Sequence, residues 1–98
     1  MAKRKIIWSA RARNELFVIL EFYHLRNRNK NYSRKLFASF NKTIGLIALH
    51  PEIGLKTDIQ NVRNFILGDF CLFYRIESNQ IEVLSIWDSR QKPEKFKL

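Results

Sequence analysis

A chain of 98 residues makes one domain and leaves no length for a second; with 46% hydrophobic residues, eight Phe, three Tyr and two Trp it is too apolar to be disordered. Eighteen Lys and Arg against nine Asp and Glu give a formal charge of +9, which attracts an anionic partner: nucleic acid, an acidic membrane surface or an acidic protein. One cysteine, Cys71, excludes an internal disulfide, and neither a secretory signal nor an apolar run near the ~20 residues of a membrane span is present, so a single cytoplasmic domain over 1–98 is expected.

Residues 5–8, Lys-Ile-Ile-Trp, are short, apolar and β-branched, which predicts a strand. Ser9 follows as an N-cap, its hydroxyl placed to accept from a free amide of a first helical turn. Ala12, Leu16, Ile19, Leu20 and Tyr23 then recur at helical spacing as one buried stripe, with Arg11, Glu15 and Arg26 opposite. The polar run 26–31 reads as a loop. Leu36, Phe37, Phe40, Ile44, Ile47 and Ala48 mark a second helix, which Pro51 stops just after His50. A connection this short predicts an antiparallel helical hairpin. Ile53-Gly54 is a turn, and 55–61 reads as irregular.

From there the period changes to alternation. Residues 62–67, 70–77 and 80–87 are rich in β-branched and aromatic side chains and predict three strands. Gly68-Asp69 joins the first pair as a type II′ hairpin with Gly first, and Ser78-Asn79 joins the second, giving an antiparallel meander. The tail from Ser89 is polar and basic. The expected class is α+β in the order β-α-α-β-β-β, an antiparallel helical hairpin packed on a small, largely antiparallel sheet.

Strict alternation puts Phe70, Leu72, Tyr74 and Ile76 on one face of the middle strand and Cys71, Phe73 and Arg75 on the other. On the last strand Glu82, Leu84, Ile86 and Asp88 oppose Ile81, Val83, Ser85 and Trp87. Arg63 shares a face with Phe65 and Leu67, where a guanidinium is costly unless paired. Two readings stand for it: an ordinary ion pair, with Asp58 or Asp88, or a bidentate phosphate or carboxylate site. Arg75 reads as a solvent residue at a strand end. His24 and His50 lie far apart beside a single Cys, so no zinc ligand set exists, and three glycines make no phosphate loop. Cys71 reads as a packed small hydrophobe, and Tyr23 and Tyr74 as core residues before proton donors.

Several segments carry a family likeness: Ile7-Trp8-Ser9-Ala10, His50-Pro51-Glu52-Ile53-Gly54, Val62-Arg63, residues 70–76 from Phe-Cys-Leu-Phe-Tyr-Arg-Ile, and 81–91 from Ile-Glu-Val-Leu-Ser-Ile-Trp-Asp-Ser-Arg-Gln. As an ordered set over essentially the whole chain they resemble the RelE/ParE superfamily of type II toxins. The resemblance implies a plasmid-stabilisation-like toxin, without a cofactor, neutralised by a cognate antitoxin whose acidic or partly disordered segment wraps it. RelE-like members cleave mRNA on the ribosome without a metal. The ribose 2′-OH attacks the adjacent phosphate, which needs a base, an acid and cations on the phosphorane. ParE-like members inhibit DNA gyrase and need no such set. With mRNA cleavage as the activity and gyrase inhibition as the alternative, the resemblance makes Arg63, Arg90 and Asp88 catalytic, the arginines as phosphorane cations and Asp88 as base, with Arg75, Lys56, Gln91 and Lys92 binding substrate. Two departures weigh against cleavage. Cys71 stands where many nuclease members carry arginine. Asp88 stands where many carry histidine, and the tail offers Phe96 but no Tyr or His as acid.

Overall fold

The structure, a computed structural model, describes residues 3–27, 30–90 and 97–98. In chain order it runs β1 (Lys5–Trp8), α1 (Ala10–Asn27), α2 (Asn31–Leu49), a 3-10 turn (Pro51–Ile53), β2 (Leu55–Lys56), β3 (Val62–Leu67), β4 (Phe70–Ile76) and β5 (Gln80–Asp88). All strands join one sheet of spatial order β1-β5-β4-β3-β2, parallel only between β1 and β5. The class is the expected α+β, with both helices on one face of the sheet.

Ser9 explains how the first strand hands over to the first helix. Its Oγ accepts from the Ala12 N–H at 3.0 Å, capping α1, and donates to the Leu84 carbonyl at 3.0 Å, pinning that helix start to β5. Ser33 Oγ donates to the Leu20 carbonyl at 2.6 Å and ties α2 back to α1. The connection is shorter than the expected loop at 26–31, because α1 runs on to Asn27 and α2 already begins at Asn31. Pro51, which has no N–H and clashes with a continuing turn, follows the C-cap His50.

Two strand expectations need correction. Residues 55–61 are not wholly irregular: Leu55 and Lys56 pair with Asn64 and Arg63 as a two-residue edge strand, short enough to leave no periodic signal. The strict alternation of the last strand also fails, because Phe73 pairs with Ser85 while Tyr74 pairs with Val83, so Leu84 is an extra residue in a β-bulge. Beyond the bulge the faces exchange. Ile86 and Asp88 come to lie opposite Leu72 and Phe70 on the helix side, the side that Ile81 and Val83 occupy before it. The β3–β4 hairpin is as expected. Gly68 has φ +59° and Asp69 does not share that sign, the combination of a type II′ turn.

The core lies between the helices and this face: Leu16, Tyr23, Phe40 and Ile47 from the hairpin meet Phe70, Leu72, Tyr74 and Val83 from the sheet. Both predicted stripes are incomplete. Phe37 is exposed rather than buried, and α1 carries apolar residues on its outer side as well: Phe17, Val18, Phe22 and Leu25. No described helix is long and apolar enough to cross a membrane.

Candidate functional site

Four of the resemblance-derived residues, Arg63 with Lys56 and Asp88 with Arg90, fall into two separate clusters. Arg63 pairs with Tyr74 and Asp88 with Phe70, four residues apart along β4 and on its opposite flanks. With a rise of ~3.3 Å per residue and ~4.8 Å between strands, their backbones stand roughly 16 Å apart.

The first cluster is built on the loop after α2. Tyr74 donates its hydroxyl to the Pro51 carbonyl at 2.6 Å and accepts from the Gly54 N–H at 3.0 Å. Burial pushes the Tyr74 hydroxyl above its ordinary pKa, against the opposing pull of the Gly54 N–H and the Arg63 charge. A Cβ at residue 54 would stand 2.7 Å from that hydroxyl oxygen, so the close approach requires glycine. Arg63 Nη1 donates to the carbonyls of Glu52 and Gly54 at 3.2 and 3.0 Å. Of the two readings of Arg63, the ion pair with Asp58 or Asp88 is not formed; two backbone carbonyls take its place. Main-chain acceptors of a 3-10 turn cannot be read from side-chain types. Lys56, across from Arg63, lines the same recess of about 340 Å³ with Thr57, Gln60 and Asn61.

The second cluster closes the end of β5. Arg90 forks onto Asp88, Nε to Oδ1 at 3.0 Å and Nη2 to Oδ2 at 2.8 Å, and its backbone N–H also reaches Oδ1 at 2.9 Å. The same Nη2 donates to the Tyr23 hydroxyl, and Nη1 lies 3.8 Å from Asp69 Oδ2. Hydrogen bonds from Arg90 hold the Asp88 carboxyl below the usual carboxylate range, and the pair raises the guanidinium's pKa further. Ser89 donates through N–H and Oγ to the Asp69 carbonyl, each at 2.8 Å, fastening this end of the strand to the β3–β4 turn. A carboxylate so neutralised is a weak proton acceptor.

Arg75 belongs to neither cluster. It pairs with Val62, one residue off the Arg63 register and hence on the other face, exposed and 3.5 Å from Glu82. Gln91 and Lys92 lie outside the described residues. Sequence reasoning missed Glu15. Rather than facing away, its Oε1 accepts from Ser85 Oγ at 2.9 Å and from the Ile86 N–H at 3.1 Å, satisfying the backbone just past the bulge, while Oε2 meets Arg11 at 3.3 Å. Its only signal was helical position, and the bulge that makes it useful has none.

A family model described as the ParE toxin of the type II toxin–antitoxin system parDE matches residues 6–93, and the chain belongs to that family. Among solved structures it is similar to the chromosomal ParDE toxin–antitoxin system from P. aeruginosa, at 17% identity over 86% of this chain and 94% of that one, with a TM-score of 0.72. It also matches the E. coli DinJ-YafQ toxin–antitoxin complex, at 15% identity over 91% and 96% of the two chains, with a TM-score of 0.49. No curated protein matches.

Proposed function

We propose that this type II toxin arrests growth by binding a protein, DNA gyrase being the target its ParE membership suggests, and that it cuts no RNA. A cognate antitoxin neutralises it, as the toxin–antitoxin system named for its structural relative suggests, and the charge of +9 favours an acidic, partly disordered segment in that partner. The observation that carries this reading is that both candidate phosphorane cations already hold partners within the chain. Arg63 holds Glu52 and Gly54, and Arg90 holds Asp88, the candidate base. Moving Arg90 onto a phosphate would break its two-pronged pair with Asp88. Inducing the chain alone and following both transcripts and DNA tests this. Intact transcripts, DNA damage and inhibited supercoiling by purified gyrase are expected. Transcripts cut at defined sites on translating ribosomes would overturn it.

One observation favours the endoribonuclease alternative: Lys56 and Arg63 face one recess, and the Nε and Nη2 of Arg63 keep donors for an anion. Under that reading Lys56→Ala and Arg63→Ala each reduce cleavage by orders of magnitude. Under ours Arg63→Ala acts on stability, costing about 1–3 kcal/mol for two lost carbonyl contacts.

A further inference from the structure

Charge is distributed unevenly along this chain. Between Glu21 and Glu52 it carries no Asp or Glu but six cations, Arg26, Arg28, Lys30, Arg34, Lys35 and Lys42. Those 30 residues hold +6 of the +9, and the other 68, with twelve cations against nine acids, balance to +3. α2 takes up most of the block. Its buried stripe of Leu36, Phe40, Ile44 and Ile47 faces the sheet, which turns Arg34, Lys35 and Lys42 out to solvent, the two lysines in line seven residues apart. None of the three has an ion-pair partner among the described residues. We infer that this outward face of α2 is a docking surface for the phosphate backbone of duplex DNA.

The arrangement is unfavourable within the fold. An exposed helix gains support from carboxylates three or four residues from its cations, and its first turn, the positive end of the dipole, favours Asp or Glu. α2 has neither: Lys30 stands at its N-cap and Arg34 and Lys35 follow just inside, with no acidic residue in the first turn. An external anion offsets that repulsion. The stripe also continues past the helix, since the Arg4 N–H donates to the Ala48 carbonyl at 3.0 Å and brings Lys3, Arg4 and Lys5 beside its far end. Nineteen helical residues extend roughly 28 Å, against which a duplex sets about eight phosphates per strand.

The lack of apolar anchors decides which anion fits. The outward positions between 31 and 42 are Asn31, Arg34, Lys35, Ala38 and Lys42, all exposed and none large and apolar. Tyr32 packs on Tyr23 instead, and Phe37 turns towards α1. A protein partner would find no anchor to bury here, and a single strand would find no ring to stack on. A duplex backbone needs only the cations. The choice of DNA over duplex RNA rests on the gyrase reading above, since gyrase works on DNA. The contact reads no sequence and holds the toxin on the polymer where its target acts.

The test follows binding of a labelled duplex of about 20 base pairs to the purified chain by fluorescence anisotropy, across about 0.05–0.3 M salt. The binding constant should fall with salt at a log–log slope of about −2.7 or steeper, about 0.9 for each of Arg34, Lys35 and Lys42, and equally for duplexes of unrelated sequence. Lys35→Ala combined with Lys42→Ala should flatten the slope by about 1.8, a weakening of roughly sixtyfold at ~0.1 M salt, while Lys35→Arg with Lys42→Arg keeps both. Lys56→Ala with Arg75→Ala removes the same charge from the sheet and should leave binding within about twofold. These side chains are all exposed, so each variant should fold, as thermal melts will check. A wild type that binds no duplex at the lowest salt overturns the proposal. An equal loss in the sheet pair also overturns it, by spreading the attraction over the whole surface. Poly-glutamate that displaces the duplex as well as unlabelled DNA does assigns the face to an acidic protein, and tighter binding of duplex RNA assigns it to RNA; either result overturns it. No gyrase enters the assay, so the two readings can fail separately: duplex bound as described, with supercoiling by gyrase untouched, keeps the face and sinks the target.

Discussion

At the scale of single residues, Tyr74 links the loop at 50–54 to the sheet and gives that link a pH dependence. The neutral hydroxyl donates to Pro51, and a phenolate has no proton to give. Its folded pKa lies above the ~10 of an unfolded tyrosine. The protonated form is therefore the one the fold favours. The contribution is complete below pH ~10 and is lost as pH rises through the raised folded value. Tyr74→Phe removes the hydroxyl from the Gly54 N–H and the Pro51 carbonyl together and is expected to cost about 1–3 kcal/mol at neutral pH. In urea melts the gap between variant and wild type should narrow above pH ~10. A gap independent of pH up to the alkaline limit would show that Tyr74 acts by packing alone.

At the scale of elements, the contact between α1 and β5 depends on a device that alternation conceals. β1 stops at Trp8, leaving the far half of β5 without a strand neighbour on that side, and the bulge at Leu84 turns its backbone there. Glu15 covers the gap by accepting from Ser85 and Ile86. Glu15→Ala is expected to destabilise by about 1–3 kcal/mol, leaving a buried serine hydroxyl and an amide unpaired; Glu15→Gln should recover part of it through its carbonyl oxygen. Denaturant titrations of the two variants check this, and equal losses for Gln and Ala would mean the charge itself is needed. Ser9, Pro51 and Gly68-Asp69 were legible in the sequence because each marks its element boundary with a local chemical requirement: a hydroxyl cap, a missing N–H, a positive φ. The bulge, the two-residue β2 and the parallel pairing of β1 with β5 were not, since each depends on which distant segment lies alongside. The same limit explains the candidate site. Arg63 was found as a cation needing a partner and Arg90 through the family resemblance, but their partners are carbonyls 9 and 11 residues away and a carboxylate turned inward by the bulge.

At the scale of the molecule, the charge of +9 acts on encounter before any contact forms, and the C-terminal tail is where its share can be measured. Residues 91–96, which hold most of the polar, basic tail, fall outside the described structure. Leu98 lines a recess with Arg11, Arg75 and Leu84 and is itself half-exposed. Residues 92–98 carry Lys92, Lys95 and Lys97 against Glu94, a net +2 that takes the chain from +9 to +7 when removed. A half-exposed leucine contributes little burial, so truncation after residue 91 is expected to leave the unfolding free energy within about 0.5–1 kcal/mol. The association rate with an acidic partner should fall at low salt and converge with that of the full chain near 1 M, where the Debye length is ~3 Å. Stopped-flow rates across a salt series read this directly. Parallel salt slopes for the two chains would make the tail a bystander to steering, and a truncated chain that fails to fold would place it in the core.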